Sequence, residues 1–306
     1  MNSAARVEQL VVGTRGSPLA LAQAREVASL ITVRHPALEV EIRVIRTLGD
    51  SGGEAPAEGS FTAELERALL DGRCDLAVHS AKDLPVRLAE GLAVAAYPPR
   101  EDAADALISC HGDLSALPRG ARVGTSSPRR RAQLLRVRGD LEVVPMRGNL
   151  DTRLGKVRGG EVHAAVVALA GLRRLGLADD DDGIYALPDM LPAPGQGALA
   201  VEAAAGSAAA LLVSDLDHAP TRAAVEAERA LLRRLGAGCG LPLAARATCD
   251  GTRLLLTAAV FSADGRREVR AMVSGEAADP EALGARAADE LVAGGAAELM
   301  GAGKDG

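Results

Sequence analysis

Residues 12–23 read VGTRGSPLALAQ and residues 123–133 read VGTSSPRRRAQ, so the phrase Val-Gly-Thr…Ser-Pro…Gln occurs twice, one residue shorter before the second Ser-Pro. Each copy follows a short apolar run and precedes a helix-like stretch, which is the pattern of strand, tight loop and helix. Ser17 and Ser127 stand where an N-cap belongs. Pro18 and Pro128 take the first helical position, where a missing N–H leaves nothing unsatisfied. Such a helix start offers free backbone N–H groups and the positive end of the helix dipole, and together these bind anions. The second copy places Arg129, Arg130 and Arg131 in the first turn, the wrong end for cations, where each costs about 0.3–1 kcal/mol unless an anion faces it. A local rule broken three times in succession marks a site. The repeat predicts two similar lobes, each directing an anion-binding helix start at something negative.

Around the first copy, residues 7–13 and 38–47 read as strands flanking a helix from Pro18 to about residue 33. Residues 61–70 have helical spacing, with Leu65, Ala68 and Leu69 on one face. Residues 74–79 (CDLAVH) and 92–96 read as short buried strands. The second lobe repeats the plan, with strands at 121–124, 141–145 and 163–168, a helix after Pro128 and another from about Asn149. Strands alternating with helices imply a parallel-rich α/β sheet in each lobe. Residues 191–197 (LPAPGQG) break the pattern, and the strand-like 198–202 is expected to return to the first lobe. The carboxylate run at 179–182 reads as a solvated loop. From about residue 219 the style changes: 221–235 is strongly helical and ends at Gly236. Asp250-Gly251 and Asp264-Gly265 are hairpin signals that make 248–273 an antiparallel meander. Asp279-Pro280 opens a last helix, and 301–306 reads as a frayed end. The expected division is residues 1–98 with 198–218, residues 99–197, and an α+β domain at 219–306.

The 306 residues suffice for two or three domains with buried cores, and 48% hydrophobic with 25% charged residues is ordinary for a soluble globular protein. A net charge of −6, with two Tyr, two Phe and no Trp, excludes a basic nucleic-acid binder with stacking platforms. Uncharged apolar stretches such as 164–171 are too short to span a bilayer. The start, MNSAARVEQLVV, lacks the basic, apolar and small-residue segments of a signal peptide, so a cytoplasmic location is expected. Cys74, Cys110, Cys239 and Cys249 show no zinc spacing, no metal is expected, and burial is the default reading for each.

Three constellations carry chemistry. His79-Ser80-Ala81-Lys82-Asp83-Leu84-Pro85 directly follows a buried strand, and in open α/β sheets ligands gather at the carboxyl ends of strands. Ser80, Lys82 and Asp83 offer a hydroxyl, a cation and a carboxylate there, though Asp83 could equally cap a turn before Pro85; His79 reads as a core histidine. Arg15, Arg129 to Arg131, Arg147, Arg153, Arg173 and Arg174 each sit beside Gly, Ser or Thr at a strand-to-helix junction. Guanidinium forks suit carboxylates or phosphates, and the lack of a Walker-type loop or a GxGxxG after a strand favours carboxylates. Cys239 lies between glycines after a helix end, and reads either as a small residue in a C-cap loop or as an accessible thiol.

The stretches TRGSPLALAQ, DLAVHSAKDLP, VGTSSPRRRAQL, RGNLDTRL, ALAGLRRLGL, LPAPGQGALAVE and ERALLRRLGAGCGLP together resemble the porphobilinogen deaminase (hydroxymethylbilane synthase) family. They run in family order from Thr14 to Pro242. The resemblance implies an α/β chain of two periplasmic-binding-protein-like lobes with a ligand cleft, plus a C-terminal α+β domain with a small antiparallel sheet. It implies a dipyrromethane cofactor held by a thioether on Cys239. Porphobilinogen units are then added stepwise with loss of ammonia, and the linear tetrapyrrole is released by hydrolysis. It gives Asp83 the catalytic role, since loss of ammonia leaves a cation that needs a carboxylate nearby. Arg15, Arg129, Arg130, Arg147, Arg153 and Arg174 would take the pyrrole acetates and propionates, assisted by Ser17, Ser80, Lys82, Thr125, Ser127 and Gln196, with Phe61 near the growing chain. A monomer that hands its product to the next enzyme, with no nucleic acid or membrane partner, is expected. Departures from the family pattern include a shorter loop between Asp50 and Phe61, Glu58 in place of a lysine, Ala81, Pro128, Asp151 and Gly240. A non-catalytic two-lobed binding protein for a small polycarboxylate would explain the repeat and the arginines, but neither Cys239 nor the third domain.

Overall fold

The computed structural model describes residues 9–46, 62–178, 183–236 and 241–301. The chain forms two compact units, Met1–Arg100 with Ala198–Arg222, and Glu101–Gly197 with Ala223–Gly306.

The first unit is built on β1 (Gln9–Thr14), β2 (Glu39–Val44), β3 (Leu76–Ser80), β4 (Leu92–Ala96) and the late strand β10 (Leu199–Ala204), in the order β2-β1-β3-β10-β4. β1 pairs in parallel with β2 and β3, while β10 is antiparallel to β3 and β4. Alternation along the strands divides the core in two. Leu10, Val12, Leu76 and Val78 face Ala24, Val27 and Ile31 of helix α1 (Pro18–Arg34), while Val11 and Ala77 join Leu65, Ala68 and Leu69 of α2 (Ala63–Leu70). The one apolar face read from residues 61–70 is thus the face that α2 buries.

The second unit opens with β5 (Asp105–Ser109), followed by β6 (Arg122–Gly124), β7 (Glu142–Val144), β8 (Ala164–Ala168) and β9 (Ile184–Leu187), ordered β7-β6-β8-β5-β9. β6 is parallel to β7 and β8, and β5 is antiparallel to β8 and β9. Strand for strand this is the first sheet again, with one antiparallel strand in the same seat. Helix α3 (Pro128–Val137) covers one face through Leu134, while α4 (Leu150–Arg158) and α5 (Leu169–Arg174) cover the other through Leu154, Val157 and Leu172. Strands β5 and β9 are absent from the sequence-based expectations. All five residues of β5 are buried, so it has no alternation to read, and β9 is only four residues long.

After α6 (Ala208–Leu212) and α7 (Ala219–Leu235), the meander forms as expected from β11 (Leu243–Asp250), β12 (Arg253–Phe261) and β13 (Glu268–Glu276). Its core faces α7 residues such as Ala227 and Leu231, and Leu283, Ala287 and Leu291 of α8 (Pro280–Ala293), which α9 (Ala296–Gly301) follows. The other face of the sheet braces α3. Ala244, Ala259 and Phe261 bury Ala132, and Arg136 pairs with Glu268 at 2.8 Å. In the β12–β13 hairpin Gly265 has φ +73°, and a Cβ there would run into the Ala132 carbonyl. Burial of every cysteine does not hold: Cys74 is buried, with its thiol pushed up to about 11 by that burial and then by Asp75, whereas Cys110 is exposed and Cys249 half-buried. The 179–182 run lies outside the described residues.

Candidate active site

In the first unit β3 runs out at Ser80 and the chain turns through a single 3₁₀ turn, Ala81–Asp83, before Pro85. The turn is tied back by the Ala81 N–H to the Ala198 carbonyl at 2.9 Å, and the Gln23 amide donates to the Ser80 hydroxyl at 2.8 Å. Ser17 caps α1 by accepting from the Ala20 N–H. Arg15, Ser17, Thr62, His79, Ser80 and Asp83 line one pocket, so the first copy of the repeat and the Asp83 turn converge. Asp83 is exposed, whereas Lys82, on the same turn, is half-buried and does not line the pocket. His79 is buried, as expected of a core histidine, with Nε2 2.9 Å from Oε2 of the equally buried Glu202 on β10. The second Glu202 oxygen has no hydrogen-bond partner among the described residues, and the same is true of Oε1 of Glu66. Burial and then the Glu202 charge raise the Glu66 carboxyl above its ordinary value.

In the second unit Ser127 caps α3 through the Arg130 N–H, and Thr125 accepts from the Ser127 N–H at 3.2 Å. The anion facing this helix start is internal. Asp105, the first residue of β5, is fully buried: its Oδ2 accepts from Arg129 Nη1 at 2.6 Å, and its Oδ1 from Arg130 Nε at 3.0 Å and Nη2 at 2.8 Å. Gln196 Nε2 adds a further bond to Oδ1 at 2.9 Å and reaches the Ala103 carbonyl at 2.7 Å. Burial alone would raise the Asp105 carboxyl, but the charges of Arg130 and Arg129 and their hydrogen bonds reverse that and hold it well below the usual range. Arg130 Nη1 also donates to the Val166 carbonyl, Arg129 Nη1 to Leu191, and Arg131 Nη1 to Val143. The rule broken by three adjacent arginines is therefore met in large part by the protein itself. Asp105 is the residue that sequence reasoning missed, because its partners lie 24 and 25 residues further along the chain.

Arg153, half-buried on α4, donates Nε to the Gly148 carbonyl, and its guanidinium is lowered by burial and then by the charge of Arg130. Arg174 Nη2 donates to Gly197 at 3.1 Å, and Arg147 is exposed. Arg130 thus feels the charges of both Arg129 and Arg153, and Asp105 holds Arg129 and Arg130. α7 is followed by Gly236 in the left-handed region (φ +59°), as is common just past a helix end. Cys239 and Phe61 themselves lie outside the described residues.

Two family models match the chain: "Porphobilinogen deaminase, dipyromethane cofactor binding domain" over residues 10–211, and "Porphobilinogen deaminase, C-terminal domain" over residues 222–293. The porphobilinogen deaminase of Desulforudis audaxviator is 50% identical over 299 residues, covering 95% of this chain and 97% of its own length. That of Roseiflexus castenholzii is 46% identical over 300 residues, covering 95% and 99%. Among solved structures, the periplasmic aliphatic sulphonate binding protein SsuA from Escherichia coli aligns with a TM-score of 0.41 at 17% identity, covering 74% of this chain and 70% of that one.

Proposed function

The chain belongs to the porphobilinogen deaminase family, and from that premise we propose that it joins four porphobilinogen units stepwise, with loss of ammonia, and releases hydroxymethylbilane by hydrolysis. The observation that supports this on the chain itself is the surplus of guanidinium at the start of α3. Arg129 and Arg130 share one buried carboxylate while Arg153 adds a further charge against Arg130, and a pyrrole chain bearing acetates and propionates would supply further anions. The donor set therefore fits a dipyrromethane, which when bound provides the primer for chain growth. Arg130, Arg147, Arg153 and Arg174 are assigned to its carboxylates and those of the growing chain. Arg129 and Gln196 serve mainly through their bonds to Asp105, Thr125 and Ser127 by shaping the helix start, and Cys239 is the attachment point.

Asp83 is assigned the reacting centre. An exposed carboxylate at the end of a buried strand can hold pyrrole N–H groups and stabilise the cation left on the substrate when ammonia departs. It can also accept the proton that the attacking pyrrole carbon sheds. Arg15, Ser17 and Ser80 line the same pocket and would hold the substrate carboxylates, with Lys82 adding charge at the turn and Phe61 lying near the growing chain. The division into residues 1–98 with 198–218, 99–197 and 219–306, a monomeric cytoplasmic enzyme, and hand-off of the product belong to the same reading. No described helix is long and apolar enough to cross a membrane.

Intact-mass measurement of the purified chain tests it. The expected result is an excess of two linked pyrrole units located on the Cys239 peptide, and Cys239→Ser should yield an unmodified chain without turnover. An unmodified wild-type chain that makes hydroxymethylbilane overturns the reading.

A further inference from the structure

Asp105 takes a place that the fold does not require to be charged. It lies opposite Ala168, the last residue of β8, and the same seat in the first sheet, opposite Ser80 at the end of β3, holds Leu199. Two sheets of one strand order therefore tolerate either a leucine or a carboxylate there. An apolar group is commonly as stable as a buried ion pair, so stability alone gives little reason for the charge. What the carboxylate does is geometric. Through Oδ1 it grips Arg130 by its Nε and Nη2 edge, with Gln196 on the same oxygen, and through Oδ2 it holds Arg129. With the Val166 carbonyl on Nη1, three of the five Arg130 N–H donors meet described groups, which leaves the others for a ligand.

We propose that Asp105 is a positioning residue: it locks the Arg130 guanidinium in place and offsets the charge of Arg129, so that Arg130 meets the carboxylates of the dipyrromethane and of the growing chain already ordered. This rests on the reading of Arg130 given above. Arginine is a rotamer-rich side chain, and fixing it before a ligand arrives removes an ordering cost from binding. Asp105 itself need touch neither cofactor nor substrate. Without it, Arg130 would face the charges of Arg129 and Arg153 without the carboxylate that now bonds it.

The test uses the full chain as Asp105→Asn, which keeps the shape and removes the charge, and as Asp105→Leu, which copies the first sheet. Cofactor loading is read by intact mass, folding by the thermal midpoint, and kcat and KM for porphobilinogen are measured on the loaded fraction. Both variants are expected to fold, with loading reduced about tenfold, and the loaded fraction to show KM raised about tenfold with kcat changed far less, as befits weakened charge-assisted recognition. Wild-type loading and KM in both variants overturn the proposal. So does failure of both to fold, which would make the carboxylate a requirement of the fold. Arg130→Leu separates the two levels. If it loads and turns over like wild type, the assignment of Arg130 to carboxylates fails. If it loses loading while Asp105→Asn does not, only the positioning role fails.

Discussion

Each of the two five-stranded sheets buries one carboxylate on its antiparallel strand, Glu202 on β10 and Asp105 on β5, and the two carboxylates keep different company. Glu202 meets the imidazole of His79 through one oxygen, and its other oxygen has no hydrogen-bond partner among the described residues. Asp105 meets two guanidiniums that are always charged, and both its oxygens are bonded. The loops beside them differ in the same sense. The first sheet leads from β3 into the exposed carboxylate of Asp83, and the second leads from β8 into Arg173 and Arg174. Duplicated architecture has therefore been given different electrostatics: an exposed carboxylate follows β3 in the first unit, while arginines follow β8 in the second.

The contrast breaks most visibly at Asp83. Asp83→Asn is expected to lower turnover about 10²–10⁴-fold, read as ammonia release, with the thermal midpoint unchanged because the side chain is exposed. Turnover close to wild type would remove Asp83 from its role and leave the first unit without a reacting group. Next in size is the pair of buried carboxylates. Arg130→Leu strips Asp105 Oδ1 of two charged N–H donors and is expected to cost about 3–5 kcal/mol in urea unfolding. Glu202→Gln keeps a hydrogen bond to His79 and is expected to cost only about 1–2 kcal/mol. Equal losses would mean that the two carboxylates are held alike after all. The smallest effect is on pH dependence. The folded-state value of Asp105 lies below its unfolded value of about 3.9, so its contribution is complete above that pH and drains away as pH falls through the folded value. The stability gap between wild type and Asp105→Asn should close on acidification by at most about 1.4 kcal/mol per pH unit. A gap that stays constant from about pH 5 to pH 2 would show that the charge is not what distinguishes Asp105.

Much of this was readable in the sequence because it is local. The doubled phrase located both helix starts, and Ser17 and Ser127 cap them through backbone N–H groups three residues on. The Asp-Gly pairs located the meander, with Gly251 and Gly265 both at positive φ. The Asp83 loop was visible because it follows an apolar strand directly. What could not be read depends on register. Asp105 lies 24 and 25 residues before the arginines it binds, and Glu202 lies 123 residues after His79. Nothing in a short window distinguishes such an acid from a solvated one. The three arginines were accordingly read as waiting for a ligand, when two of them already hold an internal carboxylate. Burial of β5 on both faces hid the strand that carries it.

The seat of β10 has a consequence for how the chain comes off the ribosome. Strands β5 to β9 form one uninterrupted stretch, so the second sheet has all its strands as soon as residue 187 has emerged. The first sheet has a gap between β3 and β4 that only residues 199–204 fill. Until they are made, two inner strand edges stay open to foreign pairing. Of the two five-stranded sheets, the one begun first is thus completed last, and its closing strand arrives just after the break that follows the second.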